Sequence, residues 1–392
     1  MTLTEKFFVE CVKMGIKGET VSSIPNELDY KKLYNLCKAH SMSVVVFNAL
    51  YGVKEKVLPS FLDALLKIVR RHVKKDVQKD HDVNELLSAF EENGLRYMPL
   101  KGYYLRKLYP STDMRYSADF DILIDLKELK KVREVAYKLG LKTERHDEHH
   151  DIVYNPETKT VFELHKTIFV GELEKYFGGG EKGFEKAKLK EGYNYFYEMD
   201  KETFYISVLA HSAYHFALDA GVGIRHLTDI YLYQKAYALD KEYLNAELEK
   251  CGLIKFNEEF EKLANYFFED EKPTDFTKKL AKHVLESTLL ANEEKQMASL
   301  VVSNAKGEEG EKKAKKRSFL RAIFPIKEHM QFSYPVLKKH GYLLPIFYVI
   351  RWFHVLFTRP RNVGKLKKMQ NVSTLEIEYI KEIRNGLGIQ DL

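Results

Sequence analysis

Apolar residues in this chain change their spacing twice, and that change restricts the class of fold it can form. Up to about residue 94 they recur at helical intervals: Phe7, Phe8, Cys11 and Val12, then Leu33, Leu36 and Cys37, then Phe61, Leu62, Leu65 and Leu66, with Asn93-Gly94 as a stop. From about 95 to 200 they gather instead in short, β-branched runs separated by turns, at 97–100, 118–124, 152–154, 161–164 and 193–197. One amphipathic helix, 126–139, sits among them, and helical spacing returns from Glu202 to about 300. The pattern predicts an α+β fold: a small mixed β-sheet core with helices on one side, flanked by N-terminal and C-terminal helical regions. The expected units are a helical region at 1–94, the α/β core at 95–200, a helical domain at 201–303 and a C-terminal helical region at 318–392. Between the last two, 304–317 (NAKGEEGEKKAKKR) has almost no apolar content and reads as an exposed charged linker.

Within the core, Ala118-Asp119-Phe120-Asp121-Ile122-Leu123-Ile124 carries two acids in an apolar strand. Side chains on a strand alternate between faces, so Asp119 and Asp121 point one way and Phe120 and Ile122 the other. Two like charges held that close make sense chiefly around a hard cation, and Mg²⁺ prefers carboxylate oxygens together with substrate phosphates. Glu163, inside Val161-Phe162-Glu163-Leu164-His165, lies in a second apolar run, from which a neighbouring strand supplies a third acid. Three carboxylates can hold metals that stabilise an in-line phosphoryl displacement. An isolated Asp-x-Asp is more commonly a solvated edge-strand face; its neighbours give it weight here.

Those neighbours are Lys101, Gly102 and Arg115. The run LRYMPLK at 95–101 ends at a glycine, after which 103–109 restarts as a short helix, an arrangement that turns backbone N–H groups toward an anion. Lys101 adds a point charge suited to phosphate, and Arg115, four residues before Asp119, adds a planar fork of donors.

Lys101-Gly102, then Arg115 with Asp119 and Asp121, then the Glu-Leu-His strand resemble the nucleotidyltransferase superfamily with the polymerase β-like fold. The likeness is to its poorly characterised bacterial branch, in which Lys-Gly stands where most members carry Gly-Ser. It extends to His40-Ser41-Met42-Ser43, to His211, His215, Arg225 and Asp229, and to Tyr334-Pro335 and Leu344-Pro345, and so covers most of the chain. The resemblance implies that Asp119, Asp121 and Glu163 bind the metals, Mg²⁺ or in its place Mn²⁺, and that Lys101 and Gly102 contact the phosphates of an NTP. Arg225 would reach a substrate phosphate with Asp229 orienting it, although the pair also fits a simple i,i+4 ion pair. The acceptor stays open among small molecules, sugars, RNA ends and proteins. Lys-Gly lacks the hydroxyl that helps grip phosphate, which favours a second reading: a catalytically silent nucleotide- or RNA-binding regulatory module, such as a toxin–antitoxin component.

Other features are weaker. His211 and His215 share a helix face but lack the glutamate of a two-histidine zinc helix, so they read as packed polar groups or as cleft lining. His146, Asp147, Glu148, His149, His150 and Asp151 read as a solvated turn, and Gly178-Gly179-Gly180, which follows no apolar strand, as a surface loop. The net charge of +6, from 63 basic and 57 acidic residues, is too mild for a dedicated nucleic-acid binder and leaves RNA open. Cys11, Cys37 and Cys251 have no metal-ligand spacing and suit a reducing cytoplasm, and the N-terminus lacks a signal-peptide pattern. The apolar stretch 342–357 is broken by Pro345, Arg351 and His354 and is short of the ~20 residues of a membrane span, so no stable insertion is expected. It reads as a buried or partner-facing helix.

Overall fold

The computed structural model describes every residue except 147–148, 170, 179, 220, 288–292, 306–309, 335, 359–368 and 391–392. Asp147, Glu148, Gly179 and Pro335, singled out above, therefore lie outside the described residues. The chain forms two compact units, one of residues 1–212 with 223–289 and one of 213–222 with 290–392.

The first unit opens with α1 (Leu3–Ile16), α2 (Tyr30–Ala39), α3 (Ser43–Tyr51) and the long α4 (Pro59–Glu92). Local chemistry sets their ends. Thr2 and Glu5 form a reciprocal capping box on α1, and the Asp29 carboxylate accepts the Lys32 N–H at the start of α2. Pro59 occupies the first turn of α4, where its missing N–H costs nothing, and the helix ends before Gly94, whose φ of 66° lies in the left-handed region.

The sheet follows: β1 (Tyr97–Pro99), a one-turn helix α5 (Gly102–Leu105), β2 (Asp119–Ile124), α6 (Leu129–Lys138), β3 (Lys142–His146), β4 (His150–Tyr154) and β5 (Val161–His165). The spatial order is β1-β2-β5-β4-β3, with β2 and β5 parallel and the other pairs antiparallel. This is the mixed sheet expected of the α+β core. Phe120, Ile122 and Ile124 of β2 and Phe162 and Leu164 of β5 pack with Val83, Leu86 and Phe90 of α4 and Val132 and Val135 of α6. Each such burial stabilises the fold by roughly 1.5–3 kcal/mol, so the register is strongly held and the opposite face of β2 and β5 is committed to the alternate residues.

After α7 (Glu172–Phe177) come the hairpin strands β6 (Ala187–Leu189) and β7 (Tyr197–Met199). The run at 193–197 was expected as a strand. It is instead mostly the turn before β7, with Tyr193 and Tyr195 exposed and Phe196 alone buried in the core. The unit closes with the first part of α8 (Lys201–Asp219), then α9 (Ile224–Ala236), α10 (Lys241–Lys250), α11 (Ile254–Phe268) and α12 (Asp275–Ser287).

The second unit contains the remainder of α8, then α13 (Glu293–Asn304), α14 (Glu311–Ile323), α15 (Lys327–Ser333), α16 (Val336–Lys339), α17 (Leu344–Thr358) and α18 (Thr374–Leu387). Residues 311–317, expected as part of an exposed linker, are instead the first turns of α14. Ala314 is buried with Met297, Ala298 and Val301 of α13 and Ile377 and Ile380 of α18, and Ser318 one turn on is also buried, so small residues in a charged run seat the helix. In α17, Ile346, Ile350 and Phe353 stay 56, 45 and 58 % exposed, which excludes a buried helix for this stretch. No helix among the described residues is long and apolar enough to cross a membrane.

Candidate active site

Parallel pairing of β2 with β5 sets Asp121 beside Glu163, Asp119 beside Val161 and Leu123 beside His165. Because alternate residues share a face, Asp121, Glu163 and His165 stand together on the side away from the core. His165 Nε2 lies 2.8 Å from Asp121 Oδ1 and 3.5 Å from Glu163 Oε2, and Lys101 Nζ lies 3.6 Å from Asp121 Oδ1. One ligand atom from each of Asp121, Glu163 and His165 falls within 4.8 Å of the other two, a spacing that suits a bound cation.

Asp119 belongs to the same face but not to that trio. Its carboxylate accepts a 2.9 Å hydrogen bond from Ser117 Oγ, and its backbone carbonyl accepts from Ser117 Oγ and from Lys79 Nζ of α4 at 2.8 and 2.9 Å. Burial brings the Lys79 ammonium down to about 8. Sequence reasoning overlooked both Lys79 and Ser117: the Lys79 contact crosses from α4 and leaves no local pattern, whereas Ser117, two residues before Asp119, was open to an i,i+2 reading.

The electrostatics of the trio follow from its geometry. Burial opposes ionisation of Asp121, but Lys101, His165 and Arg115 outweigh it and hold this carboxyl well below the usual carboxylate range. The hydrogen bond from His165 does the same, more weakly, for Glu163. Burial disfavours the imidazolium of His165, yet its bonds to Asp121 and Glu163 prevail and raise its pKa.

Lys101 precedes α5, a single turn in which the Tyr103 and Tyr104 N–H groups already donate to Leu100 and Lys101 carbonyls. The aligned helix dipole expected here is therefore small, and the Lys101 side chain carries most of the positive charge. A Cβ added at Gly102 would sit 3.1 Å from Arg115 Nη1. Glycine at this position lets the guanidinium approach the backbone.

Arg115 is buried and donates from Nε and Nη2 to the two carboxylate oxygens of Asp229, both at 2.8 Å. Tyr109 completes the anchor with a 2.9 Å hydrogen bond to the same carboxylate. Asp229 was expected to partner Arg225, its i,i+4 neighbour in α9. Arg225 instead donates to the Tyr116 carbonyl at 2.8 Å, so α9 fixes the 115–116 backbone and side chain from two points. His211 stacks on His226, ring centroids 5.8 Å apart, while His215 falls in the second unit. Among the described residues of the turn cluster, buried Asp151 is held by Arg133 and Lys166, both at 2.6 Å, and lies 3.0 Å from His146 Nδ1.

His165, in the same strand as Glu163, was missed as a site residue. The available signal was the Glu-x-His alternation, which places both side chains on one face of β5.

A family model described as an uncharacterised nucleotidyltransferase matches residues 26–269, the span that contains α2 to α11 and every site residue named above. No curated protein and no solved structure matches the chain.

Proposed function

The chain belongs to that uncharacterised nucleotidyltransferase family, and from this premise we propose that it moves an NMP from an NTP to an acceptor hydroxyl or phosphate in an Mg²⁺-dependent reaction. The observation that carries the reading is the convergence of Asp121, Glu163 and His165 beside Lys101 on the face of two parallel strands opposite the α4–α6 core.

The donor set fits a divalent cation: two carboxylates and one imidazole, all within reach of one point, with Asp119 on the same face and able to join once it leaves Ser117. When bound, the cation neutralises charge on the transferring phosphoryl group. Lys101 supplies a charge for the triphosphate. Arg115, locked by Asp229, presents Nη1 at Gly102 without having to be ordered when substrate arrives, which lowers the entropic cost of binding. Glu163, the more exposed of the paired carboxylates at 24 % against 13 % for Asp121, takes the proton from the attacking hydroxyl. The acceptor oxygen bonds to the α-phosphorus, the bond to the bridging oxygen breaks, and pyrophosphate leaves with that electron pair.

A silent nucleotide- or RNA-binding module is the second reading. It is favoured by the absence of a hydroxyl at Lys101-Gly102 and by the close His165–Asp121 contact, which ties up a carboxylate. Incubation with labelled NTPs and a cell extract separates the two: label covalently attached to an acceptor supports transfer, and bound but unincorporated nucleotide supports the silent module.

A further inference from the structure

A basic cleft in the helical region before the sheet is not used by the chemistry above. Helix α4 carries Lys67, Arg70, Arg71, Lys74 and Lys75 with no acid between Asp63 and Asp76. Lys67 and Arg71 stand at i and i+4 on one face, both exposed, where like charges repel. With Lys38 of α2 they line a cleft of about 800 Å³, whose wall also includes Tyr34, His72 and Tyr116. Asp63 is the acidic residue in that lining, and none of Lys38, Lys67 and Arg71 makes an ion pair among the described residues.

His72 adds an independent observation. It is only 7 % exposed and stacks on Tyr116 with ring centroids 4.0 Å apart, and its Nδ1 has no hydrogen-bond partner among the described residues. Buried polar nitrogens are nearly always paired, so an unsatisfied one on the wall of a cationic cleft points to a ligand that supplies the partner. The volume exceeds what a lone phosphate needs and falls in the range of small-molecule sites. Lys38 Nζ lies 5.4 Å over the Tyr34 ring and Tyr116 stacks on His72, so aromatic rings flank the cations, a combination suited to a phosphate ester attached to a larger group.

Tyr116 connects the cleft to the strand that carries the aspartates. Tyr116 follows Arg115, precedes Asp119 by three residues, and has its carbonyl held by Arg225. We propose that this cleft binds the phosphate-bearing part of the acceptor, with Lys38, Lys67 and Arg71 holding the phosphate and Tyr116 separating acceptor from nucleotide. The word acceptor rests on the transfer reading; phosphate binding does not.

The test is calorimetry on the full chain with three probes: inorganic phosphate, glycerol 3-phosphate against glycerol, and a 5′-phosphorylated trinucleotide against its 5′-hydroxyl form. At least one phosphorylated probe should bind about tenfold or more tightly than its counterpart, weaken with added salt, and lose about tenfold in the Lys67→Ala, Arg71→Ala double variant. The tightest probe identifies whether the phosphate belongs to a small molecule or a nucleic-acid end. Both substituted residues are exposed, so the fold is not at risk. No preference for any phosphorylated probe, or equal binding by the double variant, overturns the proposal. Metal-dependent NTP affinity should stay within about twofold in that variant, and a parallel loss there would make the cleft part of the nucleotide site and overturn it too. If metal–NTP binding fails in every protein while the phosphate result holds, the transfer reading falls and the cleft stands.

Discussion

His165 Nε2 lies 2.8 Å from Asp121 Oδ1 and 3.5 Å from Glu163 Oε2, so one imidazole stands between two carboxylates contributed by adjacent parallel strands. The same nitrogen that compensates the two acids is placed to become a ligand when a cation enters. Replacing it with alanine removes that nitrogen and leaves Asp121 with Lys101 as its near cation. His165→Ala is expected to weaken divalent-cation affinity by about 10–100-fold, as loss of a ligand-orienting group typically does. Titration with Mn²⁺ followed by electron paramagnetic resonance measures this directly; an unchanged dissociation constant would remove His165 from the site.

The Arg115–Asp229 pair is buried and bidentate, with side chains 8 and 5 % exposed. Removing one partner strands the other charge. Asp229→Ala should cost about 3–5 kcal/mol of stability, whereas replacing both residues with apolar side chains of similar volume should cost much less. Urea unfolding of the two variants checks it, and a single-variant loss below about 0.5 kcal/mol, the scale of a surface pair, would contradict the anchoring role.

Gly102 owes its identity to Arg115. With Nε and Nη2 held by Asp229, the guanidinium has little freedom to yield the few tenths of an ångström that a new methyl group 3.1 Å from Nη1 requires. Gly102→Ala should therefore destabilise by about 1–2 kcal/mol and reduce NTP affinity. In an Arg115→Ala background the same change should be close to neutral. Additive losses across the double-mutant cycle would refute the steric account.

His40 links stability to pH. Its Nδ1 accepts the Ile224 N–H at 3.2 Å, its Nε2 faces the Leu285 carbonyl at 3.2 Å, and burial lowers its pKa from 6.5 to about 4. The unfolded chain binds this proton at higher pH than the folded one, so the contribution is complete above about 6.5 and falls as pH drops toward 4. The loss by pH 4.5 is about 2–3 kcal/mol, and His40→Asn should flatten that part of the stability profile. An unaltered slope in the variant would assign the acid sensitivity elsewhere.

The sheet and its acids were legible because strand alternation is a local property: Phe120 and Ile122 announce a core face, which leaves Asp119 and Asp121 on the other. Likewise Asn93-Gly94 marks the end of α4. What escaped is tertiary or carries no apolar signal. β3, Lys142–His146, is exposed at every position and is a strand only because β4 pairs with it at the sheet edge. Asp229 lies four residues from Arg225 and more than a hundred from Arg115, and spacing favours the nearer partner, yet the fold delivers the distant one. Similarly, Lys79 reaches the Asp119 carbonyl from forty residues away, a contact that no sequence interval encodes.

On the transfer reading, carboxylates on β2 and β5 bind the nucleotide through a divalent cation. NTP affinity measured with and without Mg²⁺, in the native chain and in the Asp119→Ala, Asp121→Ala double variant, tests it most directly. The native chain should bind NTP at least about tenfold more tightly with Mg²⁺, and the double variant should lose that gain. Equal Mg²⁺-dependent binding by the two proteins would contradict the account.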